Sequence, residues 1–141
     1  MLRRAGAGQE ADLGIARMRI VADSDTTGGS FACVEFHGRR GAWTVPHIHT
    51  AMEESFYVLA GNFAFTVDGS RVDASPGSFI LVPRGAPHAI EATSEEAAVL
   101  ALFVPGGLEE MFLELSRLGP EALTDPAVRR EIARRFDSKP A

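Results

Sequence analysis

Cysteine is nearly absent: Cys33 stands alone among 141 residues, so no disulfide can form within the chain. Long apolar runs are missing too. None approaches the roughly 20 residues that a helix needs to cross a bilayer. The start, Met1-Leu2-Arg3-Arg4 followed by Ala-Gly-Ala-Gly-Gln-Glu, lacks the apolar stretch of a secretory signal. Blocks of positive charge are scarce. Net charge is −5 and no basic run follows Arg3-Arg4, which argues against nucleic acid and acidic membrane surfaces as partners. The pairs Arg129-Arg130 and Arg134-Arg135 fit the solvated face of a helix. These absences leave the expectation of one cytoplasmic domain that works on small molecules.

Hydrophobic residues make up 45% of the chain, enough for a packed core. Residues 1–11 are small and polar and are expected to form a flexible arm. From Leu13 to Val21, Ala16, Met18 and Ile20 share one parity, which predicts a strand with one apolar face. Asp23 to Gly29 reads as a loop. Ser30 to His37 predicts another strand, with Ala32, Val34 and Phe36 on one face and Cys33, Glu35 and His37 on the other. Alternation does not say which face is solvent, so Glu35 and His37 stand as candidates for a polar pocket. Gly38-Arg39-Arg40-Gly41 reads as a turn.

Further on, Asn62–Val67 and Ser70–Ala74 flank Asp68-Gly69, a strong hairpin signal. Phe79–Val82 is a continuous apolar run, as in a strand covered on both sides. Ala97–Val104 is a last apolar strand before Pro105-Gly106-Gly107. Many short strands with Gly/Pro turns indicate an all-β sandwich or barrel. The period then changes to 3.6. Leu108, Met111, Phe112, Leu115 and Leu118 form a helical stripe that Gly119-Pro120 stops. Asp125-Pro126 caps a second helix whose stripe, Val128, Ile132 and Phe136, runs to the C-terminus. The expected boundaries are 1–11 for the arm, 12–106 for the β domain and 107–141 for a helical extension.

The chemistry concentrates between Gly41 and Gly61. His47 and His49 are two residues apart, so on a strand their imidazoles share a face, roughly 6–7 Å apart. Thr50 to Glu53 allow a turn, and Glu54 then opens the run Ser55-Phe56-Tyr57-Val58-Leu59-Ala60. That puts a carboxylate on a neighbouring strand. Imidazole and carboxylate together suit a divalent transition metal. Trp43 and Val45 share parity with the histidines, and Phe56 and Val58 with Glu54. With Leu81 and Ile90 they are the expected lining of an apolar substrate pocket. Tyr57, of opposite parity, is expected to pack under the helices.

A second block, Gly77-x5-Pro83-x-Gly85-x2-His88, answers the first, Gly41-x5-His47-x-His49-x4-Glu54-x6-Gly61, after fifteen intervening residues. Together they resemble the two-part signature of the cupin superfamily, in particular the small quercetinase-like members. One position departs from the family habit: Ala92 stands where an asparagine often follows the last histidine by four residues. The resemblance implies a double-stranded β-helix, a jelly-roll or cupin barrel, here with two C-terminal α-helices. It implies His47, His49, Glu54 and His88 as ligands of one divalent ion, whether Fe, Mn, Ni, Co, Cu or Zn. It also implies a homodimer, and an oxidoreductase that binds a hydroxylated aromatic or keto substrate through the metal and cleaves it with dioxygen. Glu54 would double as proton acceptor. Small cupins also include polyketide cyclases, lyases and isomerases, where Glu35, His37 or Glu54 could serve as base. A non-catalytic binding module is the third reading.

Overall fold

The computed structural model describes residues 1–141. Ten strands join in one hydrogen-bonded sheet that folds over on itself into two leaves. Strands β1 (Glu10–Asp12), β2 (Ala16–Ala22), β3 (Ala32–Ala42), β5 (Glu53–Ala60) and β8 (Phe79–Val82) make one leaf. Strands β4 (His47–Ile48), β6 (Phe63–Val67), β7 (Ser70–Ala74) and β10 (Lys139–Pro140) make the other. The long β9 (His88–Val104) belongs to both. Its first part pairs with β4 and β6, and its last part lies between β3 and β5. All pairs are antiparallel. The result is the all-β jelly roll that the strand alternation and the resemblance led one to expect, but its sheet does not close into a complete barrel.

Alternation decides what lies between the leaves. Val34 and Phe36 on β3, Phe56 and Val58 on β5, and Val99, Ala101 and Phe103 on β9 are cross-strand neighbours facing inward, and all are buried. Phe63, Phe65, Ile90 and Ala92 meet them from the second leaf. Phe65 packs against Phe56 at a centroid separation of 5.3 Å and Phe63 at 5.8 Å. Full burial of such rings contributes about 1.5–3 kcal/mol each by transfer alone. The Asp68-Gly69 hairpin forms as expected, with positive φ at both positions (50° and 79°), the type I′ requirement. Gly61 is needed for space: a Cβ there would sit 2.2 Å from the Glu96 carbonyl oxygen.

Several expectations give way. Gly38–Gly41 is not a turn. β3 runs through it to Ala42, with an irregularity between Arg39 and Gly41 where its partner changes from Glu96 to Ala92. The glycines bend the strand from one leaf toward the other instead of reversing it. The Asp23–Gly29 loop contains a four-residue helix, α1 (Ser24–Thr27), whose Thr26 amide donates to the Asp23 side chain. Part of the supposed arm is held in place. Glu10–Asp12 form β1, the Ile20 amide donates to the Gln9 carbonyl at 2.9 Å, and Arg3 Nε donates to the Val21 carbonyl at 2.8 Å.

Three helices, not two, follow the strands: α2 (Leu108–Ser116), α3 (Pro120–Thr124) and α4 (Pro126–Arg134). α2 stops at Ser116, before Leu118 and Gly119, and Gly119-Pro120 instead starts α3, where the missing proline N–H costs nothing. Phe112 of α2 reaches between the leaves, edge-on to Phe36 at 5.2 Å and stacked on Phe103 at 6.1 Å. This closes one end of the sandwich. The last helix stops at Arg134, and the tail returns as β10 beside β4. No helix is long and apolar enough to cross a membrane.

Candidate metal centre

β4 is only two residues long because Pro46 interrupts the ladder just before it, yet that suffices to aim His47 inward, paired with His88 on β9. The turn of the second motif is tied to the first by Gly85, whose amide donates to the His49 carbonyl at 2.7 Å. Glu54 comes from the opposite leaf, one register step in from the edge of β5. The four side chains His47, His49, Glu54 and His88 converge, each offering one donor atom, and these atoms lie within 4.8 Å of one another. His49, Glu54 and His88 are buried, and His47 is half-buried on the outer side of the cluster.

Hydrogen bonding settles which nitrogen each ring presents. His47 Nδ1 lies 2.8 Å from the Val45 carbonyl, His49 Nδ1 2.8 Å from the Asp137 carbonyl, and His88 Nδ1 3.0 Å from the Ala86 carbonyl. A carbonyl can only accept, so each Nδ1 carries the proton and donates. All three Nε2 atoms therefore turn toward the centre of the cluster. His49 Nε2 is buried and has no hydrogen-bond partner at all. A buried imidazole nitrogen without a partner is costly unless something positive meets its lone pair. Backbone acceptors on the far nitrogen are the usual outer support of histidines that hold a metal.

Electrostatics agree. Burial holds the His47 imidazole down at about 4, and positive charge on His88 pushes the same way, so His47 is neutral at pH 7. Burial also opposes charge on His88. There the hydrogen bond and the negative charge of Glu54 outweigh it, and its pKa lies above the ordinary histidine value. His88 Nε2 is 2.9 Å from Glu54 Oε2, and His49 Nε2 is 3.6 Å from Glu54 Oε1. A proton thus bridges His88 and Glu54 between the leaves. A divalent ion could replace that proton and also meet His49 Nε2, so the residues present fit a metal.

Of the expected pocket residues, Phe56, Val58 and Ile90 are buried on the inward faces that carry the donors. Trp43 is half-buried, edge-on to Phe63 at 5.0 Å, with its indole N–H donating to the Arg39 carbonyl. The others are corrected. Val45 is 73% exposed because the strand parity breaks at Pro46. Leu81 is 53% exposed, since it pairs with Ser55 on the outer face. Glu35 and His37 are also on the outer face, opposite Leu100 and Ala98, where Glu35 binds Arg19 and His37. Tyr57 is outside as well, and does not lie under the helices. The structure adds one residue that periodicity could not show, Asp137, whose carbonyl orients His49 from 88 positions away.

The family model described as a cupin domain matches residues 35–105, half of the chain. This chain is a cupin. A quercetin 2,3-dioxygenase from Bacillus subtilis is 32% identical over 111 residues, 79% of this cupin and 33% of that protein. The chain therefore spans about a third of that relative's length. Among solved structures, KdgF from a Halomonas species superposes with a TM-score of 0.65 at 25% identity, covering 72% of this chain and 90% of the other. An oxalate decarboxylase variant from Bacillus subtilis superposes with a TM-score of 0.63 at 25% identity, covering 73% and 29%.

Proposed function

We propose that this cupin is a metal-dependent oxidoreductase, a quercetinase-like dioxygenase acting on a hydroxylated aromatic or keto small molecule that chelates the metal. The observation that carries this reading is the set of three Nδ1-anchored imidazoles that converge with Glu54, their donor atoms within 4.8 Å of one another. Identity with the quercetin 2,3-dioxygenase of Bacillus subtilis supports the reaction class. His47, His49, His88 and Glu54 would hold the ion, whether Fe, Mn, Ni, Co, Cu or Zn. A bound ion of this kind supplies Lewis acidity and, if redox-active, dioxygen chemistry.

The chain's own groups do the rest. The Glu54 carboxylate, 2.9 Å from His88 Nε2, is placed to take a proton from a substrate hydroxyl. Phe56, Val58 and Ile90 floor the site with apolar surface and exclude water beneath the donors. His47, the least buried donor, marks the side from which a substrate reaches the cluster. One observation favours a second reading, a non-redox lyase: the 25% identity with an oxalate decarboxylase.

The two readings separate on oxygen. The untagged protein is assayed for metal, then given flavonols with an oxygen electrode. Uptake above a His49→Ala control is expected. Turnover that persists without oxygen and with zinc would replace the dioxygenase by the lyase.

The proposed protein partner is a second copy of the chain. The outer face of β8, β5 and β9 exposes Phe79, Leu81, Tyr57 and Leu59 beside half-buried Leu100 and Leu102. No charged side chain interrupts those positions, and the nearest pair, Arg19–Glu35, is already neutralised, so two copies meet without like-charge repulsion. Sedimentation should give a dimer that Leu81→Glu converts to monomer. A monomeric parent chain would end this part of the proposal.

A further inference from the structure

His47 and His88 take their Nδ1 acceptors two residues away, from Val45 and Ala86. His49 does not. Its acceptor is the carbonyl of Asp137, in the tail beyond α4. The same residue closes a clamp with its side chain. Asp137 Oδ1 accepts from the Thr50 amide at 3.1 Å and the Thr50 hydroxyl at 2.6 Å, and Oδ2 accepts from the Ala51 amide at 2.7 Å. Thr50 and Ala51 begin the connection between β4, which leads to His49, and β5, which carries Glu54. One residue of the tail therefore holds both the ring of His49 and the chain that links two donors.

The rest of the tail is built to keep it there. Asp137 has φ 57°, a left-handed conformation that aspartate tolerates better than most side chains. Just beyond it, Lys139 and Pro140 pair with Ile48 and His47, and the Ala141 amide donates to the Pro46 carbonyl at 3.2 Å. Just before it, Ile132 of α4 is buried in the core, and Arg135 binds Glu114 of α2. The tail is thus fastened on both sides of the contact with His49.

We propose that Asp137 is a positioning residue for the metal centre, and that the C-terminal tail must be seated for His49 to act as a ligand. The proposal rests on the metal-binding reading of the His47, His49, Glu54 and His88 cluster. By reciprocity, an ion that needs the seated tail also holds the tail in place.

The test uses the full-length, metal-free protein titrated with Co2+. Asp137→Gly keeps the positive φ and removes all three side-chain contacts. Asp137→Asn keeps the φ and the acceptor that serves Thr50, but places an N–H against the Ala51 amide. Loss of outer support for a metal ligand typically weakens binding by about 10–100-fold. Asp137→Gly is expected in that range, with a cobalt absorption spectrum moved toward that of His49→Ala, and Asp137→Asn is expected between it and the parent. In metal-free protein, 15N shifts of His49 should change from the Nδ1–H tautomer toward a mixture. A lower melting temperature with unchanged cobalt affinity and spectrum would overturn the proposal and leave Asp137 a merely structural residue. A parent chain that binds no cobalt would overturn the metal-centre reading first, and the positioning role with it.

Discussion

Two groups of histidine and carboxylate occupy opposite faces of one leaf. On the inner face, Glu54 meets His88 and His49. On the outer face, Glu35 meets His37 and Arg19. The residue types match, and each carboxylate sits on a strand next to β9. Their surroundings do not match. The Glu35 carboxylate already has a guanidinium, and His37 is largely open to water. Glu54 has no fixed cation, and its neighbour His49 keeps a buried nitrogen without a partner. The lesson is that ligand chemistry comes from what a cluster lacks. A histidine–carboxylate pair that is satisfied by arginine and water has no use for an ion.

The largest contrast should come from adjacent residues of β5. Phe56→Ala, on the inner face, is expected to cost about 3–5 kcal/mol in chemical denaturation. Tyr57→Ala, its outward neighbour, should cost under about 1 kcal/mol in the monomer. The histidines come next. His88→Ala should weaken Co2+ binding by more than about 100-fold, since a ligand counts for at least as much as its outer support. His37→Ala should leave cobalt affinity unchanged in the same titration and shift stability by no more than about 0.5 kcal/mol.

The smallest effect is a pH dependence. The hydrogen bond from His37, with the Arg19 charge adding to it, holds the Glu35 carboxyl below its ordinary value of 4.5 despite partial burial. A depressed carboxyl binds fewer protons folded than unfolded. Its stabilisation is therefore fully present above pH 4.5 and lost as the pH falls through the lower folded value. Melting curves of the parent chain and Glu35→Gln should differ slightly at pH 6 and converge in acid. A gap that stays constant down to pH 3 would sink this assignment.

That His47 and His49 share a face was legible from strand parity, a local quantity, whereas His88 joined the donors only through the resemblance to the cupin signature. Equally legible was the inward face of β5, where Phe56 and Val58 follow Glu54 by simple alternation. The pocket lining was legible only in part. Pro46 breaks the parity that would have carried Val45 inward, and no alternation pattern reveals which side of Glu35 and His37 is water. Gly38–Gly41 misled for a related reason, since glycines bend strands as readily as they end them. The tail was hidden altogether. The stripe Val128, Ile132 and Phe136 reads as one helix to the end, and nothing local to Asp137 marks a partner 88 residues earlier.

β9 gives the molecule a common spine. His88 stands at one end of it, and Leu100 and Leu102 present themselves at the other, beyond the pairing break near Thr93 to Glu96. The pitch of a single backbone rod thus sets both how the imidazole is aimed and how the outer apolar surface is angled. A change in that bend would be felt in two places at once, so the aim of the donors and the tilt of the outer face can drift only together.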